Sequence, residues 1–254
     1  LGGVGGAPGD DEVAVTRAVS DALVTVFHRM LARGVERAAA QRVVLAGVLA
    51  RFARSLGVVG IAEEGSLAWT AAELGELQRA WAMDWSRVSP RIFGALFQAS
   101  LEAGQRHALG AHFTSDADIA RVLVPTIVRP WQARIRGAAD RAELLALWAE
   151  LAGFRVLDPA CGSGDFLHGA YRELLALERE LMARLEVVSA PRVSARNCLG
   201  IDRDPFAAAL ASLTLWVGER RACPGSTLLP GELAGNIVVA DALFVEWPPA
   251  DAIV

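Results

Sequence analysis

Val156-Leu157-Asp158-Pro159-Ala160-Cys161-Gly162-Ser163-Gly164-Asp165-Phe166-Leu167 reads as a short strand that runs through a glycine turn into a helix. In an open α/β sheet, ligands sit outside the carboxyl ends of the strands, and this is such an end. Gly162 and Gly164 remove Cβ atoms where the chain turns sharply, so that a ligand can approach the backbone and the free N–H groups of the helix start. Asp158 sets a carboxylate at the strand tip, where it can meet a cationic amine. A dinucleotide site would want a third glycine near Leu167 and an acid about 20 residues on. Leu167 is bulky, and Asp202 lies 38 residues beyond Gly164. An acid in the turn also suits a pyrophosphate poorly, which disfavours nicotinamide and flavin dinucleotides.

Outward from that turn, strands and helices alternate. Phe154 to Leu157 is the first strand, Asp165 to Leu185 a long helix, Cys198 to Ile201 a strand, Pro205 to Val217 a helix, Ile237 to Ala240 a strand, and Ala252 onward the next strand. This βαβαβ order argues a parallel, doubly wound sheet. Leu199-Gly200-Ile201-Asp202-Arg203-Asp204-Pro205 places Asp202 at the second strand tip, where a carboxylate can accept both hydroxyls of a ribose; Asp204 caps the following helix and Pro205 takes its first position. Asp241 ends the third strand and is placed to accept from an adenine amino group. Three strand tips with one carboxylate each describe a pocket for a cationic nucleoside, and S-adenosylmethionine fits that description.

Upstream, Ser115 with Asp118 three residues on reads as a capping box opening a helix through Val128, which Pro130 ends, and a short helix runs from about Asp140 to Leu151. Earlier still the pattern is helical throughout. Val13, Val19, Leu23, Val26, Phe27 and Met30 recur at three- and four-residue spacing, as do Val44, Leu45, Val48, Leu49, Phe52 and Leu56. Another helix is expected around Ala71 to Met83, and Ser89-Pro90 starts a further one. The organisation predicted is a flexible glycine-rich start over 1–11, an all-α spacer domain over 12–108 and an α/β domain over 109–254. Up to Leu109 there are 11 Arg against 11 acids, so the formal charge of −4 belongs wholly to the α/β half.

Composition excludes several classes. With 53% hydrophobic and 21% charged residues the chain can bury a sizeable core. Its net negative charge excludes a basic nucleic-acid-coating protein as a description of the whole chain. All 25 basic residues are Arg, so Walker-type and Schiff-base lysines are absent. Cys161, Cys198 and Cys223 form no C-x-x-C pair and no disulfide framework, which suits a reducing cytoplasm. The longest apolar run, near Val43 to Ala50, is too short for a membrane span, and Leu1 to Gly9 lacks the basic start and apolar stretch of a signal peptide. His28, His107, His112 and His168 share no spacing with Cys or acids that makes a metal site, so a metal-free reaction is expected. The start at Leu1 without Met and the stop at Val254 inside an apolar run are expected of a fragment.

Asp158 to Gly164 with Phe166-Leu167 resembles motif I of the γ-type adenine DNA methyltransferases. Gly110-Ala111-His112-Phe113-Thr114-Ser115 resembles their motif X, Gly200-Ile201-Asp202 their motif II, and Ala240-Asp241-Ala242-Leu243 their motif III. Leu109 to Ser115, Ala170-Tyr171-Arg172-Glu173-Leu174 and Trp247-Pro248-Pro249-Ala250-Asp251 are similar to the MmeI-like and Eco57I-like type IIG restriction–modification enzymes. Arg51 to Val59 and Ile92 to Phe97 resemble the helical spacer that precedes the methyltransferase domain there. The resemblance implies a Rossmann-like, class I S-adenosylmethionine-dependent methyltransferase sheet, truncated and preceded by an all-α domain. It implies Thr114, Asp158, Pro159, Ala160, Cys161, Gly162, Gly164, Asp202 and Asp241 as cofactor-binding residues, with Thr114 at the methionine end. The partner implied is double-stranded DNA, through the full-length protein, and the reaction is in-line methyl transfer to the exocyclic amine of a flipped adenine. In that group an Asn-Pro-Pro-aromatic loop holds the amine. Here it is expected just after Val254, so no catalytic residue is expected within the 254.

Plainer readings stand beside these. Asp202 can be a solvated strand-end acid, Thr114 simply a helix N-cap, Phe113 packing, and Cys161 a loop residue that uses its backbone rather than its thiol. Trp81 and Trp85 at helical spacing read as core, and Arg121, Arg129, Arg134 and Arg136 as a solvated face. Methylation of rRNA or of a protein glutamine, or non-catalytic cofactor binding, are the alternative functions.

Overall fold

The computed structural model describes residues 10–58, 68–90, 92–101, 115–233 and 235–254. Two compact units divide the chain, Leu1–His112 and Phe113–Val254. The glycine-rich start up to Gly9 and the expected boundary at Leu109 lie outside the described residues.

In the first unit the described elements are all helices: α1 (Asp10–Ala32), α2 (Arg37–Ser55), α3 (Ala71–Ala82) and α4 (Ile92–Ser100). The apolar stripe read from the sequence is the buried face of α1 from Val19 through Met30; only Val13, 42% exposed, falls off it. Phe52 of α2 joins this core edge-on to Trp85, with ring centroids 5.0 Å apart, and Trp85 donates its indole N–H to the Ala80 carbonyl at 2.9 Å. Trp85 therefore packs rather than presenting a stacking platform. A signal the spacing argument passed over opens α3: Thr70 and Glu73 form a reciprocal capping box. The buried Glu73 also accepts from Arg33 Nε at 2.8 Å, which ties α3 to α1.

The second unit opens with α5 (Asp116–Leu123), a π-helical segment (Val124–Val128) and α6 (Arg129–Gly137), which follow one another without interruption. Pro130 does not end this helix, contrary to expectation. A proline lacks only its own N–H and suits the first turn of a helix, and Pro130 falls there in α6. The π register absorbs the mismatch, with Arg129 N–H reaching back to Val124 O. Ser115 caps α5 in one direction only: its Oγ accepts from Asp118 N–H and donates to the Asp118 carboxylate, so the expected reciprocal box is half formed.

After α7 (Arg141–Gly153) come β1 (Val156–Asp158), α8 (Asp165–Leu185), β2 (Cys198–Asp202), α9 (Pro205–Ala222), β3 (Ile237–Val239) and β4 (Ala252–Ile253). The sheet order is β3-β2-β1-β4 with every pair parallel. Leu157, Leu199 and Ile201 form its buried centre. The order runs outward from β1 to β3 and then returns to the other side of β1 with β4. The carboxyl end of β1 is therefore at the topological switch point of a Rossmann-like sheet.

The connection into β2 carries polar backbone that must be satisfied where it is buried. Glu178 of α8, fully buried, accepts from Trp148 Nε1 at 2.7 Å, Arg192 N–H at 2.7 Å and Val193 N–H at 2.9 Å. Glu219 of α9 accepts from Ala195 N–H and from Ser226 Oγ, each at 2.5 Å. Replacing Glu178 by Gln sets an amide N–H₂ against one of these donors. Urea unfolding is expected to show Glu178→Gln less stable by about 2 kcal/mol, the cost of a buried unsatisfied polar contact.

Candidate cofactor site

The turn after β1 closes through bonds to its neighbours. Asp158, the last residue of β1, is buried, and its Oδ1 accepts from Ala160 N–H at 3.0 Å. Cys161 N–H donates to Ile201 O of β2 at 3.0 Å, and Gly164 N–H returns to Cys161 O at 2.8 Å. Gly162 N–H crosses to Asp202 Oδ2 at 2.9 Å, while Asp204 N–H takes Asp202 Oδ1 at 2.8 Å. The Asp202 carboxylate thus joins the β1 turn to the end of β2. Each of its oxygens retains a lone pair for a further donor such as a ribose hydroxyl.

The two glycines of the turn are needed for different reasons. Gly164, with φ +86°, would place a Cβ 2.9 Å from Ala211 Cα, so packing against α9 and the left-handed backbone both demand glycine. Gly162, with φ +51°, faces open space, where a built Cβ meets no atom within 4 Å. Pro159 is half-buried and Ala160 exposed. The Cys161 thiol is buried, and burial pushes it well above the ordinary thiol range, with Asp158 and Asp202 adding to the shift. A nucleophilic thiolate is disfavoured there.

Asp241 lies two residues beyond β3. Its Oδ1 accepts from Leu243 N–H at 3.0 Å, and its Oδ2 is 3.8 Å from Arg203 Nη1. Asp158, Asp202 and Asp241 therefore sit at the carboxyl ends of three neighbouring parallel strands. Thr114 and Phe113 lie outside the described residues. The spacing argument missed Thr214, whose Oγ1 donates to the Ser163 carbonyl at 2.7 Å; a single polar residue within the apolar Leu213 to Val217 run was the available sign. It also missed that Asp202 binds backbone on both sides.

Burial raises the Asp158 carboxyl to about 6, with the Ala160 hydrogen bond opposing and Asp202 reinforcing the shift. Among the described residues no basic side chain pairs with it. A carboxylate left in this condition is stabilised by any cation that arrives, so the donor set suits a positively charged ligand and repels a phosphate.

Residues 135–251 match the sequence profile of the MmeI DNA-methyltransferase domain. These residues form an MmeI-like DNA-methyltransferase domain. Over 190 residues the chain is 32% identical to DNA methyltransferase A of Bacillus subtilis, covering 69% of this chain and 21% of that protein. Over 94 residues it is 36% identical to the adenine-specific methyltransferase PglX of Streptomyces coelicolor, covering 37% of this chain and 7% of that one. The type IIL restriction–modification enzyme MmeI, solved in complex with DNA, superposes with a TM-score of 0.71 at 22% identity, covering 91% of this chain and 41% of its own. The chain thus spans a minor part of each relative's length. The MmeI-like family implies a methyl donor. Among the described residues no helix is long and apolar enough to cross a membrane.

The shift of Asp158 has a signed consequence. Its folded value lies above the unfolded one, so its contribution to stability is greatest in acid and is lost as pH rises from about 4 to about 6. Asp158→Asn keeps an acceptor for Ala160 N–H and abolishes the ionisation. Denaturant unfolding is expected to show the variant more stable than the parent above pH 6, by at most about 3 kcal/mol, and the difference vanishing toward pH 4.

Proposed function

We propose that the chain is the S-adenosylmethionine-binding portion of a site-specific DNA adenine methyltransferase of the restriction–modification or phage-defence kind, acting in the cytoplasm. The observation that carries this is the row of Asp158, Asp202 and Asp241 at three adjacent strand ends around an open glycine turn, in an MmeI-like domain. The adenine-specific name of the PglX relative supports the choice of base.

In this reading Asp158 neutralises the cationic amino-acid end of the donor, which supplies an electrophilic methyl group on sulfonium sulfur when bound. Asp202 takes the ribose hydroxyls while keeping its hold on Gly162 and Asp204 N–H. Asp241 exchanges part of its Leu243 and Arg203 partnership for the adenine amino group. Gly162 gives the donor close access to backbone, along the Pro159-Ala160-Cys161 stretch and up to Gly164, and Thr114 closes the methionine end. The part from 109 on acts as the first portion of the methyltransferase domain and 12–108 as a helical spacer before it. Duplex DNA is the partner of the full-length protein, and none of these residues is assigned to the target amine.

Incubating the full-length protein with radiolabelled S-adenosylmethionine and duplex DNA is expected to give N6-methyladenine on nucleoside analysis. Asp202→Ala is expected to weaken S-adenosylhomocysteine binding by about tenfold or more in calorimetry, the loss of charge-assisted hydrogen bonds. Label appearing on RNA or protein instead of DNA overturns the substrate. Absence of S-adenosylhomocysteine binding overturns the donor.

A further inference from the structure

Four of the bonds that fix the turn come from the strands or from the turn itself: Ala160 N–H on Asp158, Cys161 N–H on Ile201, Gly162 N–H on Asp202 and Gly164 N–H on Cys161. A fifth comes from a helix. Thr214, in the middle of α9 and 1% exposed, donates its Oγ1 hydroxyl to the carbonyl of Ser163 at 2.7 Å. A threonine inside a helix ordinarily returns its hydroxyl to a carbonyl one turn back on its own helix. Thr126 does this, bonding Val122 O, and Ser212, two residues before Thr214 on α9, bonds Ala208 O. Thr214 instead reaches a loop 51 residues away in sequence.

One turn earlier on α9, Ala211 closes on Gly164, its Cα 2.9 Å from where a Cβ would stand. Thr214 and Ala211 therefore hold successive residues of the turn, one by a hydrogen bond and one by contact. Ser163 is itself buried, so its carbonyl, once released, must rotate to find another donor. That rotation turns the Ser163–Gly164 peptide plane, changing ψ of Ser163 and φ of Gly164, one residue from Gly162, where the open space lies.

We propose that Thr214 is a positioning residue for methyl-donor binding, its hydroxyl fixing the Ser163 carbonyl and through it the backbone orientation of Gly162 to Gly164. The inference rests on the donor-binding reading above and goes beyond it by assigning a role to a residue that does not touch the donor.

The test uses the full-length protein and S-adenosylhomocysteine as probe, with calorimetric affinity, melting temperature and hydrogen exchange of the 159–167 segment read together. Thr214→Val keeps the shape and removes the hydroxyl; it is expected to weaken binding about tenfold, the worth of one buried hydrogen bond, and to speed exchange in that segment. Thr214→Ala, which leaves room for a water, is expected to weaken binding in the same direction and serves if the valine variant does not fold. Thr214→Ser restores the hydroxyl and is expected to stay within about twofold of the parent. A lowered melting temperature with parental affinity in either hydroxyl-free variant shows a merely structural threonine and overturns the inference alone. Equal weakening by Thr214→Ser overturns it too, since the hydroxyl is then not the cause. Failure of the unaltered protein to bind the probe overturns the donor reading, and the inference falls with it.

Discussion

Asp202 is the point through which the ligand side of the sheet is built. Its two carboxylate oxygens hold Gly162 of the β1 turn and Asp204 at the start of α9, and its own carbonyl accepts Ala240 N–H from the chain leaving β3. Three segments that converge at one end of a parallel sheet would otherwise be free to splay, because parallel pairing stops at the strand tips. Hydrogen bonds from backbone N–H to a carboxylate are stronger than those to a neutral acceptor, so this one residue sets two of the segments through its side chain and the third through its backbone carbonyl. The proposed ribose acceptor is held in place before any ligand arrives, which lowers the ordering cost of binding.

Among the described residues of the second unit, buried acids fall into two kinds. Glu178 and Glu219 each take several donors within hydrogen-bond reach and fix the connection into β2. Asp158 is also buried but takes a single N–H from Ala160; burial raises its proton affinity, Asp202 adds to the shift, and that one bond opposes it. The first two take three and two donors from the segments they join; Asp158 takes one and keeps acceptor capacity for the cation proposed above. The distinction rests on bonding rather than on burial alone, and it separates two structural acids from the proposed ligand-facing one.

Much of this was legible in the residues. The strand-turn-helix reading of Val156 to Leu167 located β1, the turn and the start of α8, and the acids at the later strand ends marked β2 and β3, because parallel strands and their following helices carry local signals: apolar runs, glycine pairs and an Asp-Pro cap. What escaped were bonds between segments distant in sequence. No spacing rule connects Thr214 to Ser163, or Asp202 to Gly162, since those pairs meet only when the sheet has formed. Pro130 misled for the opposite reason. A proline is a strong local signal, and here a change of helical register overrode it.

That register change accounts for a regularity along α5 and α6. Ile119, Leu123, Ile127, Trp131 and Ile135 are all buried and lie four residues apart. In an ordinary α-helix each such step advances roughly 40° around the axis, so the five would wind roughly 160° and could not share one buried face. The wider π turn at Val124–Val128 takes in one additional residue and gives back roughly 100° of that drift. A stripe at uniform four-residue spacing therefore stays within one face of an amphipathic helix. It lets Trp131 meet Phe154 edge-on at 5.4 Å, so the chain entering β1 is seated by a helix whose winding has been reset midway.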